Sequence, residues 1–512
     1  MSAVSRVRYN RGFSTIELLF AFALATIFIS GAALVAFGGQ TAGLDMSLNN
    51  SAVERTVMQM QKAIASTTQN WYVAVTPKLD TFYTHTNSIG SISACLKKIE
   101  STSAWTTQHS RSQQVTLSTY LGSIKEVSSQ GGACDPFPPQ VWDTPAYLGS
   151  VTASGINGTA IAVRSIGGNT YAFVTAASTT PSSDDFIVVN VTDATNPSIV
   201  GSPLNTFLGL NSVVVAGKYA YVLQNRNIEQ LGVINISNPA NVFEVVGARR
   251  TFPNIVSSCS PVTDPCLSGK SIAYYAGRLY IGTSYIAFGT SVQNHELQIY
   301  CVDDKITPGC TPETPVWLGS YNVNHNVNDI ALATQVVGSA QKTIAYLATS
   351  ASSATSPELT ILDVTNPSSV TSLGSFNPSG TQYGRSIFVL GNTAYLGRDR
   401  TVGANKDFYV LDVTNPSLPI ERHSRKLSLA SNTYISAITV QGNIAFVATT
   451  DSTHPLLLFD IANPTNVTSV SACTVSTSQV TKDIVYHENM LFTVNQGADL
   501  LRIFYDKPSS CI

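Results

Sequence analysis

The side chains that most often carry chemistry are all present in this chain, but they do not converge on a catalytic motif. The histidines at 85, 109, 295, 325, 423, 454 and 487 form no HxH or HExxH pair, so packing or surface roles outweigh a metal site. No D-x-D-x-D-G calcium loop, G-x-S-x-G elbow or P-loop occurs. The expectation is a protein with no catalytic residues, no metal and no cofactor. Asp363, Asp412 and Asp460 recur at equivalent places in several repeats, which favours a structural role at strand ends. Arg398, Asp399, Arg400 and Lys406 make a charged loop in a chain with few charges, suited either to solvent or to an anionic glycan or surface. Tyr285 and Phe288 are suited either to stacking on a sugar ring or to filling their own loop. The eight cysteines are even in number and contain no CxxC, a pattern of structural disulfides in an oxidising compartment. Short loops favour Cys259 with Cys266, Cys301 with Cys310, and Cys473 with Cys511, each worth about 2 to 4 kcal/mol. The last unusual group is Glu17, which lies inside an apolar run. An unpaired carboxylate at the centre of a bilayer costs at least about 2.5 to 3.5 kcal/mol, so Glu17 calls for a partner.

Composition sets the frame for these residues. Of 512 residues 44% are hydrophobic and 12% charged, against about 25% charged in an ordinary soluble domain, which excludes a disordered chain. Lys and Arg number 29 and Asp and Glu 31, a formal net charge of −2, and that balance gives no reason to invoke nucleic acid. Polarity comes from Ser, Thr and Asn, with 34 Gly and 23 Pro, a mixture suited to short strands and turns.

At the N-terminus Arg6, Arg8 and Arg11 precede an apolar run from Phe13 to Phe37. At 1.5 Å per residue this run spans roughly 37 Å, enough to cross a hydrocarbon core of about 30 Å. The arginines place its start in the cytoplasm, and the run is longer than the roughly 7 to 15 apolar residues of a cleaved secretory signal. Its first residues, RGFSTIELL, resemble the prepilin signature of type IV pilins and type II secretion pseudopilins. The resemblance implies leader cleavage after Gly12 by a prepilin peptidase, N-methylation of Phe13, and pairing of Glu17 with the terminal amine of a neighbouring pilin subunit. It also implies a single-pass protein of the inner membrane before assembly and an extracellular filament afterwards. Leu44, Leu48, Val53, Val57, Met60 and Ile64 continue at helical spacing. They suggest one long pilin helix over 13–66, apolar all round over 13–37 and amphipathic after that. Residues 67–140 would be a small α+β pilin-like globular region, in which the resemblance to pilins suggests a Cys95 to Cys134 bridge.

From about residue 141 to 508 the chain repeats itself. One unit is an apolar strand ending in an Asn-Pro turn, as in ILDVTNPSSV at 361–370, VLDVTNPSLP at 410–419 and LFDIANPTNV at 458–467. Pro fixes φ and holds its predecessor extended, so each strand must end there. Leu-Gly-Ser elements follow some of these turns. A hairpin precedes each unit, and its aromatic marks seven copies: Phe173, Tyr221, Tyr280, Tyr346, Tyr395, Phe446 and Phe492. Four short strands per copy predict an all-β seven-bladed β-propeller. The likeness of PAYLGSVT at 145–152 to PVWLGSYN at 315–322 predicts that the first strand completes the last blade. The DVTNPS units resemble the LVIVD-repeat family, which implies an extracellular propeller.

With strands of a blade lettered a to d, the a–b and c–d turns are short and repetitive. The b–c and d–a loops vary, and variable loops on a rigid scaffold are the expected binding face. The combined reading is a minor type IV pilin, at a filament tip or sparse position, that displays a propeller for adhesion to a glycan or protein ligand. A secretion pseudopilin whose propeller contacts cargo is the first alternative, and a propeller enzyme anchored by the pilin helix is the second. Nucleic acid is not an expected partner.

Overall fold

The computed structural model describes residues 43–72, 83–106, 111–130, 142, 145–153, 155–177, 184–205, 209–224, 228–253, 268–285, 295–350, 356–400, 405–470 and 479–506. Its contacts divide it into two units, one of residues 1–90 and 97–121 and one of residues 91–96 and 122–512.

The secondary structure corrects the expected fold class. Among the described residues the chain is nearly all β, with two α-helices, Gly43–Gln69 of 27 residues and Ile124–Ser129 of 6. A pilin helix over 13–66 is not the architecture shown, and no described helix is long and apolar enough to cross a membrane. The periodic residues after position 43 do form a helix. Extending it upstream relies on an unbroken apolar run, which has no period to distinguish helix from other buried structure. Residues 13–37, with Gly12, Phe13 and Glu17, lie outside the described residues. The buried stripe of the observed helix is Ala52, Thr56, Met60, Ala63 and Thr67, smaller and more polar than the apolar series read from the sequence. Thr56 donates its hydroxyl to Ala52 O and sits 2.6 Å from Ser103 Oγ. Ala52 and Met60 pack with Tyr83, Trp105, Val115 and Leu117 beside a sheet of Thr84–Ser93, Leu96–Thr106 and Ser112–Gly122.

The second unit holds seven four-stranded antiparallel blades. Their inner, a strands are Asn157–Ile166, Leu210–Ala216, Gly269–Tyr275, Val327–Val337, Gly384–Leu390, Ile435–Gln441 and Val480–His487, blades 1 to 7 in that order. Each inner strand neighbours that of the next blade, and the seventh neighbours the first, so the ring closes. In blade 7 the strands Met490–Gln496 and Asp499–Asp506 follow the inner one, and Pro145–Thr152 supplies the outer strand, pairing Gly149 with Ile503 and Ser150 with Arg502. The seven marker aromatics all lie on second strands and are buried, each in an apolar cluster shared by two neighbouring blades.

The Asn-Pro turn explains the repeated aspartates. Asp363 Oδ1 accepts from the backbone N–H of Thr365 at 3.0 Å and from its hydroxyl at 2.6 Å, and Asn366 then accepts from the N–H of Ser368. Asp412 and Asp460 accept the backbone N–H of Thr414 and of Ala462. Asn190 and Asn235 do so in blades 1 and 2, so the turn needs an acceptor and not a charge.

The Leu-Gly-Ser element locks neighbouring blades. A Cβ on Gly319 would strike the carbonyl of Pro367, one on Gly374 that of Pro416, and one on Gly149 that of Ala194, each in the c–d turn of the next blade. These are backbone atoms that cannot swing aside. Gly374→Val is expected to lower stability by about 1 to 3 kcal/mol, read from the denaturant midpoint. Gly338→Asn, which faces open space at a φ of 65°, is expected to cost less, because it meets no clash and only the left-handed backbone strain that Asn tolerates best.

Candidate ligand site at the channel mouth

Every inner strand contains a β-bulge at the same place. The pairing of blade 3 steps from Gly269 with Thr283 to Ser271 with Gly282, skipping Lys270. The same step skips Thr159, Asn211, Asn328, Arg385, Ser436 and Lys482 in the other six blades. A bulge leaves its extra residue out of the ladder and re-aims the side chain. All seven of these residues line one cavity of about 360 Å³, together with Tyr434, Asp329 and Asp483. The cavity lies at the strand ends opposite the a–b turns, the end that carries the b–c and d–a loops.

Four of the seven side chains are consumed in joining blades. Thr159 donates to Leu210 O at 2.6 Å, Asn211 to Gly269 O at 2.7 Å, Asn328 to Gly384 O at 2.7 Å and Ser436 to Thr481 O at 2.8 Å. The three cations, on blades 3, 5 and 7, are not used in this way. Arg385 donates through Nε to Asp399 Oδ1 at 2.6 Å, and its guanidinium carbon lies 4.8 Å from the centre of the Tyr434 ring. Lys482 donates to the Tyr434 hydroxyl at 3.0 Å. Lys270 has no hydrogen bond or ion pair among the described residues, and burial, with the nearby charge of Arg385, lowers its pKa.

The two acids of the cavity are tied to backbone. Asp329 accepts from Ile330 N at 2.8 Å and from Ile387 N of blade 5 at 2.9 Å. Asp483 accepts from Ile484 N at 2.8 Å and from Ile161 N of blade 1 at 3.0 Å. Burial pushes their carboxyls up to about 6 and about 7, against the pull of those N–H groups.

The residues singled out from the sequence fall differently. Arg398 is fully buried and is therefore corrected from a ligand contact to an internal one. It pairs with Glu358, and its guanidinium donates to Ser379 O, to Lys406 O and to the Tyr409 hydroxyl. Asp399 orients Arg385, and Arg400 donates to Leu429 O at 2.8 Å. Lys406 takes part through the carbonyl that receives Arg398. Tyr285 is 40% exposed, with its N–H on Asn326 and its ring 6.3 Å from that of His325. Phe288 lies outside the described residues, as do Cys134, Cys259, Cys266, Cys473 and Cys511. A disulfide joins Cys301, the last residue of the third strand of blade 3, to Cys310 in the connection that follows, and Cys95 is also disulfide-bonded. Sequence reasoning misses Lys270, Arg385, Tyr434 and Lys482. The signal of the three cations is short: a cation, a small or acidic residue and Ile at the head of an inner strand, as in GKSIAYY, GRSIFVL and TKDIVYH.

No curated protein matches the chain. Among solved structures it is similar to a quinonprotein alcohol dehydrogenase-like protein from Bacteroides thetaiotaomicron VPI-5482, at 12% identity and TM-score 0.38 over 81% of this chain and 86% of that one. It is also similar to YCF48 bound to D1 peptide, at 8% and 0.44 over 72% and 99%, and to BamB from Moraxella catarrhalis, at 13% and 0.38 over 73% and 99%. Likenesses this distant carry no functional argument. Residues 210–247, 354–378, 383–425 and 434–475 match the LVIVD repeat, and with the strand pairing above the chain is shown to carry LVIVD repeats folded as a β-propeller.

Proposed function

We propose that this protein is a binding protein and not an enzyme, with its propeller as the binding head. One observation carries the reading: all seven blades bulge at the same position into one polar cavity, whose two carboxylates are each tied to two backbone N–H groups. Both oxygens of each acid are taken up by these bonds, one on its own strand and one on the next blade, so the acids serve to join blades. The prepilin-like residues Gly12, Phe13 and Glu17 support a finer reading, in which the chain is a minor type IV pilin at a tip or sparse position. The propeller would then stand outside the cell, after cleavage by prepilin peptidase and pairing of Glu17 with the Phe13 amine of a neighbouring subunit.

Mass spectrometry of filaments sheared from cells is expected to find a methylated peptide beginning at Phe13. Glu17→Val is expected to leave cleavage intact and to reduce incorporation into filaments. A processed form confined to the envelope fraction would replace the surface pilin with a secretion pseudopilin, and absence of any processed form would remove both.

A further inference from the structure

We propose that the channel mouth binds a small hydroxylated anion, an acidic sugar residue whose negative group lies between Lys270, Arg385 and Lys482. The inference rests on the binding-head reading and names the ligand chemistry of that head. It begins with the alternation around the ring. Thr159, Asn211, Asn328 and Ser436 each bond to the backbone of the next blade, and the cations occupy the same bulge position on blades 3, 5 and 7. Because the bulge sets the aim of the side chain, all three charges are delivered at the head of an inner strand to one cavity.

The positive charges are incompletely answered within the protein. Lys270 has no partner among the described residues, and its strongest charged influence is another cation, Arg385. Arg385 spends Nε and Nη2 on Asp399, which leaves Nη1 for a further acceptor. Lys482 donates only to a neutral hydroxyl. The two other acids of the cavity wall, Asp329 and Asp483, each turn one oxygen to a backbone N–H of their own strand and the other to one of the next blade, and make no ion pair with these cations. Lys270 is held in a partly desolvated wall with another cation as its charged neighbour, and an anion bonded there by charged donors recovers that cost.

The remainder of the wall selects a hydroxylated ligand. Apart from Ala160 and Ala437 it is lined by hydroxyl, amide and charged side chains, including Ser212 and Ser271. The hydroxyls keep lone pairs, and Asn211 and Asn328 a second N–H, beyond the bonds that join blades, and an apolar ligand would leave that capacity unused. A volume of about 360 Å³ is at the small end for ligand pockets, suited to one or two sugar rings.

The test is isothermal titration of the full chain at low salt with three probes: glucuronate, glucose 6-phosphate and glucose. Saturable binding of at least one anionic probe, with glucose weaker by about tenfold or more, is expected. Lys270→Met and Lys482→Met should each weaken the anion by about tenfold with unchanged melting temperature, and added salt should weaken it further. Lys270→Gln, which keeps the shape and a hydrogen-bond donor without the charge, should behave like Lys270→Met. The two anionic arms separate a carboxylated ligand from a phosphorylated one. The inference is overturned if neither anion binds, or if the lysine variants bind as the wild type does. It is also overturned if glucose binds as tightly as glucuronate, an outcome that keeps a binding head and removes its charge selectivity. The filament experiment above uses none of these probes, so its result is independent of this one.

Discussion

Arg398→Met is expected to lower the stability of the propeller by about 3 to 5 kcal/mol, read as a fall in the denaturant midpoint or the calorimetric transition. The side chains of Arg398 and Glu358 are 0% and 2% exposed. Their contact crosses from the segment before Leu359–Asp363 in blade 4 to the end of Thr393–Arg398 in blade 5. Two charges have left water here, and the guanidinium compensates by distributing its donors to Glu358, Ser379 O, Lys406 O and Tyr409. Removing Arg398 strands a buried carboxylate and two carbonyls together, which explains why the loss should exceed the net worth of the pair. Arg398→Lys should not restore stability, because an ammonium lacks the planar fork that reaches these acceptors at once. The double variant Arg398→Met with Glu358→Leu is expected to recover part of the loss, since it removes both charges. A double variant as unstable as the sum of the singles would show that the two residues act separately.

Lowering the pH from 8 to about 5 is expected to raise the melting temperature of the propeller. Glu296, Asp329 and Asp483 are held up at about 7, about 6 and about 7 by burial. A carboxyl raised in the folded state binds its proton more tightly there than in the unfolded chain. The folded state therefore gains stability as pH falls through these values towards the ordinary carboxylate range. A carboxyl whose midpoint lies tenfold away in proton concentration from its unfolded value contributes about 1.4 kcal/mol before solvent screening, and each kcal/mol corresponds to roughly 2 to 4 °C in a large domain. The opposite sign sets the lower limit. Asp451 is held down at about 2 by the Thr453 hydroxyl and the N–H groups of Ala430 and Thr453, which outweigh its own desolvation. Its contribution is present above the ordinary range and is lost as pH falls towards 2. The expected profile therefore has its maximum near pH 4 to 5. A melting temperature that falls steadily from pH 8 to 5 would contradict it, and Glu296→Gln should flatten the slope.

The repeat is readable because its punctuation is chemical. The Asn-Pro turns end strands by fixing φ, and the buried aromatics mark one strand per blade whatever the loops between them do. The ligand cavity is hidden for a related reason. Inner strands such as VVVAG and IFVLG read as apolar because the alternating pattern begins just after the bulge, and the bulge shifts that alternation by one residue. Arg385 and Lys482 therefore look like the ends of loops. Arg398 is misplaced by sequence reasoning because its partner, Glu358, is 40 residues away, and a charge at a strand end looks like a charge in solvent until that partner is known. Buried acids such as Glu296, Glu358 and Asp407, each next to the first residue of a third strand, lack any pattern that separates them from loop polarity. The reading of one helix over 13–66 goes beyond its periodic part for the converse reason, since an apolar run alone carries no period, and the helix described is Gly43–Gln69.

Closing the ring with Pro145–Thr152 also imposes an order of events. Thr152 and Asp499, which bond across the joint, are 347 residues apart. During synthesis the strand destined to be outermost in blade 7 emerges before any blade exists and keeps its ladder groups unpaired until Asp499–Asp506 has left the ribosome. The entropy of so distant a closure rises only logarithmically with separation, so the equilibrium penalty is modest. The delay is not modest, because the most non-local pairing in the fold is formed last. Through that interval the protein carries an exposed sheet edge at blade 7 and a strand able to fit it, so two chains made side by side can complete each other's rings.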